Sequence, residues 1–125
     1  MATILVVEDN EPSRDVLSRR LVRQGYQVLL AVDGLQALSV ARSAQPDIIL
    51  MDLGLPGIDG FEATRRLKGD AATGHIPIIV LSAHAMTNDR DLALAAGGDH
   101  FDTKPVRFQQ LLEKVESLLT SAVVQ

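Results

Sequence analysis

Apolar residues occur along this chain in two alternating rhythms. Residues 4–7, 48–51 and 76–81 are short, mostly unbroken runs rich in Ile, Val and Leu, as expected of strands buried on both faces. Residues 26–31 and the weaker 99–103 add two more strands. Between the runs the spacing turns helical. Val16, Leu17 and Leu21 share one predicted face, with Arg19, Arg20 and Arg23 directed elsewhere. Ala37, Leu38 and Ala41 form the inner stripe of a second helix, and Phe61, Ala63, Thr64 and Leu67 that of a third. A fourth helix starts at Thr87 or Asn88 and stops at Gly97-Gly98. Phe108, Leu111, Leu112, Val115, Leu118 and Leu119 mark a fifth. The punctuation agrees: Asn10 caps the first helix with Pro12 in its first turn, Gly25 stops it, and Gln45-Pro46 breaks the second.

Five strand–helix repeats with short loops imply parallel strands joined by right-handed crossovers. An eight-unit barrel needs roughly 200 residues or more, so 125 residues favour an open sheet. The predicted fold is α/β: a flavodoxin-like, doubly wound, five-stranded parallel sheet of order 2-1-3-4-5. Residues 1–125 are expected to form a single domain with a core over 4–119 and a frayed tail over 121–125. Composition narrows the function. Aromatics make up 3% and Trp is absent, which disfavours stacking on single-stranded nucleic acid. A net charge of −4 disfavours binding to a phosphate backbone, so no direct DNA binding is expected. With no Cys there is no disulfide, thiolate metal site or cysteine nucleophile. No apolar run is long enough to cross a bilayer and no basic leader opens the chain, so the expectation is a cytoplasmic domain without a membrane role.

Ligands of open parallel sheets bind beyond the carboxyl ends of the strands, where the strand order reverses. The residues closing the strands are Glu8 and Asp9, Asp52, Ser82 and Lys104. Glu8 or Asp9 alone reads as a solvated loop acid. Asp52 follows four apolar residues and precedes Leu53, which places it at a buried edge. Three carboxylates on one rim repel one another, and a divalent cation relieves the repulsion. Oxygen donors without His or Cys at ligand spacing favour Mg2+ over zinc. His75, His84 and His100 match no metal motif: His75 is placed on a surface loop, His100 at the edge of the fifth strand, and His84 near the rim. Ser82 lacks an oriented base, which argues against a hydrolase nucleophile. Lys104 is either a solvated charge beside Pro105 or a partner for Asp52 or for phosphoryl oxygens.

Taken together, Glu8-Asp9, the segment Leu50-Met51-Asp52-Leu53-Gly54-Leu55-Pro56-Gly57-Ile58-Asp59-Gly60, Ser82-Ala83 and Lys104-Pro105 resemble the receiver domain of two-component response regulators, from Ile4 to about Leu119. The resemblance implies that Asp52 accepts a phosphoryl group from a histidine kinase or a histidine phosphotransfer protein. It implies that Glu8, Asp9, Asp52 and the Gly54 carbonyl hold Mg2+, and that Ser82 and Lys104 grip the phosphoryl oxygens. Ser82 and Phe101 match the switch pair, with Phe101 turning inward when phosphate draws Ser82 away. Gly54, Ala83, His84 and Pro105 match positions that modulate the site, and Pro105 matches a proline often preceded by a cis peptide. Output passes to a downstream protein through the face made by the fourth helix, fifth strand and fifth helix. Such a domain is a signalling switch rather than an enzyme, although it assists its own phosphorylation and slow dephosphorylation. Three departures stand out: Glu8 for the commoner Asp, Gly54 and His84 at variable positions, and Phe101 for the commoner Tyr. A relay receiver from a hybrid kinase is the nearest alternative. A flavodoxin-type electron carrier is disfavoured because the acidic first loop, Glu8 to Glu11, repels a flavin phosphate. A haloacid-type phosphohydrolase is disfavoured because Gly54 stands where its second Asp is needed.

Overall fold

The computed structural model describes residues 2–83 and 88–124. The elements in chain order are β1 (Thr3–Val7), α1 (Glu11–Arg23), β2 (Gln27–Ala31), α2 (Gly34–Ala44), β3 (Ile48–Asp52), α3 (Gly60–Gly69), β4 (Ile78–Ser82), α4 (Asp89–Ala95), β5 (His100–Thr103) and α5 (Phe108–Val124). The five strands form one parallel sheet in the order β2-β1-β3-β4-β5, as the pattern predicts. Helix starts follow local chemistry. The side chains of Asn10, Asp33 and Asp59 accept from the amides of Ser13, Gln36 and Glu62, at 2.9, 2.7 and 2.9 Å. Asn88 caps α4 without such a bond, and Thr87 lies outside the described residues.

Alternation along the strands divides the core in two. Leu5, Val7, Ile49, Met51, Ile78 and Val80 pack with Ala37, Ala41, Ala63, Leu67 and Ala93 under α2, α3 and α4. Ile4, Val6, Ile48, Leu50, Ile79 and Leu81 pack with Leu21, Phe108, Leu111 and Val115 under α1 and α5. The helices that contribute only alanines from their buried stripes lie on the first side, where Met51 and Phe101 fill the space.

Several expected boundaries shift for identifiable reasons. β2 begins at Gln27, because the Tyr26 amide donates to the Leu21 carbonyl at the end of α1. β4 begins at Ile78, because Pro77 has no amide for the ladder; Ile76 is buried ahead of it in a turn closed by Thr73. α5 spans Phe108–Val124, with no Gly or Pro after Leu119 to interrupt it. Val16 is 57% exposed and not on the core face of α1; adjacent helical residues point about 100° apart, and Leu17 and Leu21 take the inward positions.

The β3–α3 connection fixes the far end of β3. The amide of Gly60, first residue of α3, donates to the Leu53 carbonyl at 3.2 Å. A Cβ at Gly60 would lie 2.4 Å from the Asp52 carbonyl oxygen and 2.7 Å from Leu53 Cα. Neither atom belongs to a flexible side chain. Gly60→Ala is therefore expected to cost about 1–3 kcal/mol in urea unfolding, the usual range for forced overpacking. A variant as stable as the parent would show that α3 does not bear on the backbone of Asp52.

Candidate functional site

The carboxyl ends of β1, β3, β4 and β5 open on a cleft of about 470 Å³, lined by Glu8, Asp9, Asp52, Ser82, Asp89 and Lys104 among others. Backbone pairing holds its floor. The Glu8 amide donates to the Ala31 carbonyl, the Leu53 amide to that of Leu81, and the Lys104 amide to that of Ser82, at 3.0, 3.0 and 2.8 Å. Each residue that closes a strand is thus set by the sheet register. All of the strand-end residues named from the sequence converge here. Glu8 and Asp52 are only 5% and 6% exposed, whereas Asp9 is open to solvent.

Lys104 reaches across the sheet from β5. Its ammonium lies 2.5 Å from Glu8 Oε1 and 3.0 Å from Asp52 Oδ1. It is not a solvated charge but a bridge between two buried acids. Carboxylate oxygens of Glu8, Asp9 and Asp52 lie within 4.8 Å of one another. Three carboxylates against one ammonium leave two negative charges uncompensated. A hard divalent cation fits this all-oxygen donor set and its charge, and Mg2+ meets both conditions. Burial pushes the Glu8 carboxyl above the usual carboxylate range, the Asp52 charge adds to that, and the hydrogen bonds from Lys104 and the Asn10 amide offset only part of it. A carboxyl held high in the folded state stabilises the protein as pH falls through its value, and that contribution is lost above it. Burial alone would lower the Lys104 ammonium, but its bonds to Glu8 and Asp52 outweigh burial and hold it above the ordinary lysine value.

Ser82 is buried, and its hydroxyl donates to Asp89 Oδ2 on the first residue of α4 at 2.6 Å. Phe101 is already in the core, 3% exposed, with the Arg90 guanidinium 5.1 Å from its ring centroid. Phe101 is thus buried while Ser82 is engaged by Asp89, in the same core cluster as Val80 and Ala93. A Cβ at Gly54 would lie 3.8 Å from Asp52 Oδ2, so any side chain at this position would border the carboxylate. Ala83 lines the cleft and is exposed. The Lys104–Pro105 peptide is cis, and Pro105 borders a separate groove beside α1. His84 lies outside the described residues.

Sequence reasoning missed Asp89, Arg90 and Arg14. Arg14 Nη1 donates to the Glu8 carbonyl at 3.0 Å and so braces the acidic loop from α1. Its place one turn after the Asn10 cap was a usable signal. Asp89 and Arg90 belong to no spacing pattern, and only the fold brings them to Ser82 and Phe101.

Residues 4–116 match the family described as response regulator receiver domain. Response regulator PleD of Caulobacter vibrioides is 42% identical over 117 residues, which is 94% of this chain, but the chain spans only 26% of PleD. Protein PilH of Pseudomonas aeruginosa is 37% identical, with 95% of this chain and 98% of PilH covered. Among solved structures, the receiver domain of sensor histidine kinase PA1611 from the same species superposes with a TM-score of 0.89 at 36% identity, covering 95% of this chain and 98% of that one. That structure has a magnesium ion coordinated in its active site cleft. Among the described residues, no helix is long and apolar enough to cross a membrane. The sheet order, the acidic cleft at its carboxyl edge and the match across residues 4–116 agree: the chain belongs to the response regulator receiver domain family, the phosphate-accepting signalling domains of two-component systems.

Proposed function

We propose that Asp52 is the phosphoacceptor of a Mg2+-dependent switch, charged by the phosphohistidine of a histidine kinase or histidine phosphotransfer protein. The observation that carries this reading is Lys104, at the end of β5, spanning Asp52 on β3 two places away and Glu8 after β1 three places away. In the transfer, an oxygen of Asp52 forms a bond to phosphorus as the bond to the imidazole nitrogen breaks, and the electron pair leaves with the imidazole. A carboxylate already carries the attacking pair, so no general base is required. Asp9, Asp52, Glu8 and the Gly54 carbonyl are the groups that would hold Mg2+, which when bound offsets charge between the anionic donor and acceptor. Lys104 supplies a fixed positive charge to the phosphoryl oxygens, and Ser82 supplies a hydroxyl donor. Glu8 is engaged by Lys104 and by the Asn10 amide, which leaves Asp9 as the more available ligand. Output through α4, β5 and α5 is supported by Leu94, 45% exposed and one helical turn after Arg90, which lies over Phe101 of β5.

The test is incubation with acetyl phosphate, followed by intact mass. With Mg2+ the protein should gain one phosphoryl group, and chelation should slow the gain by about a hundredfold or more, in line with the loss of several kcal/mol of charge stabilisation. A phosphohistidine-bearing kinase domain should give the same product faster. If neither donor labels the protein, the reading fails. Within the metal site, Asp9→Ala should weaken Mg2+ binding more than Glu8→Ala; the opposite order in a metal titration would make Glu8 the principal ligand.

A further inference from the structure

We propose that Asp89 is a positioning residue that withholds the Ser82 hydroxyl from the phosphoryl group and couples its release to α4. This rests on the receiver reading above. The Ser82 backbone is fixed, because its carbonyl accepts from the Lys104 amide at 2.8 Å and the residue pairs with Thr103 in the sheet. With its backbone held in the sheet, Ser82 changes partner by rotation of the hydroxyl about the Cα–Cβ bond. A hydroxyl has one hydrogen to donate. Here it goes to Asp89 Oδ2 at 2.6 Å, a short bond to a charged acceptor. To grip a phosphoryl oxygen, Ser82 must give up that bond. Asp89 itself lines the cleft with Asp52 and Lys104, so an arriving phosphoryl anion also repels its carboxylate. Both effects push the first residue of α4 away from β4. The next residue, Arg90, lies over Phe101, so the same turn of helix contacts both residues of the switch pair.

The experiment is an NMR titration of the whole chain with beryllofluoride, a phosphoryl mimic, in the presence of Mg2+. Asp89→Ala removes this charged acceptor and should tighten binding by about tenfold, the order expected for one charge-assisted hydrogen bond. Asp89→Asn keeps an acceptor without the charge and should give a smaller gain. In a Ser82→Ala background, where there is no hydroxyl to withhold, most of either gain should vanish. Without beryllofluoride, α4 amides should also exchange faster in Asp89→Ala than in the parent. Equal affinities for the parent and Asp89→Ala would overturn the inference and leave the receiver reading intact. A gain of undiminished size in the Ser82→Ala background would also overturn it, assigning the effect to charge repulsion alone. A parent that binds no beryllofluoride at all would overturn both.

Discussion

Asp52→Asn should abolish phosphoryl uptake from acetyl phosphate, by on the order of a thousandfold or more, because the variant has lost its nucleophile and not merely a binding contact. The amide is nearly isosteric and should leave the β3–α3 connection undisturbed. Its thermodynamic effect should differ from its functional one. In chelator the parent holds three crowded carboxylates against one ammonium. Removing one charge relieves repulsion, while Lys104 retains Glu8. The variant should therefore melt at or above the parent temperature without metal and should lose most of the gain that Mg2+ confers on the parent. A variant still labelled to the parent's extent would place the acceptor elsewhere. A lower melting temperature in chelator would mean that the Lys104–Asp52 contact outweighs the crowding.

Lys104→Ala should weaken the fold and disconnect the switch. A surface lysine replaced by alanine changes stability by within about 0.5 kcal/mol. The Lys104 side chain is 24% exposed and bridges two acids whose side chains are 7% and 8% exposed. Its removal leaves both buried without a cation, and a loss of about 2 kcal/mol in metal-free urea unfolding is expected, below the range for fully buried pairs because water reaches this one. Mg2+ should restore much of the loss. The variant should still accept phosphate through Asp52, more slowly. With beryllofluoride its amide shifts should stay near β1 and β3 and not reach α4 or Phe101. Lys104→Arg should recover stability better than switching, since a planar fork replaces a compact charge. Full parental shifts in the Ala variant would remove Lys104 from the coupling path.

The sheet and the cleft were legible because each rests on a short-range rule. Unbroken aliphatic runs such as residues 48–51 have no other common reading when acids and glycines bound them, and the rim follows once strands are known to be parallel. Val16 was misplaced because Val16 and Leu17 are adjacent, and a helical stripe tolerates either one inward until the partner surface decides. The state of Phe101 was not legible for a related reason. A rotamer answers to packing, here Val80, Ala93 and the Arg90 side chain, and none of these is a neighbour in sequence. Asp89 was hidden more thoroughly, since a lone acid at a helix start is ordinary and its hydroxyl partner stands seven residues earlier.

The division of the core by strand parity separates two kinds of mutational tolerance. Val80 and Phe101 project to the side shared with α4, while Ile79 and Leu81 project to the side shared with α1 and α5. Substitutions that improve packing around Leu21, Leu111 and Val115 would act on a layer that Phe101 and Ala93 do not touch. Heat tolerance is thus most open to engineering around Leu21 under α1, on the side away from α4 and outside the α4–β5–α5 face. The other side offers no such freedom: its small alanines leave few ways to change volume, and drift there would alter how readily the domain answers its input before it altered whether the domain folds.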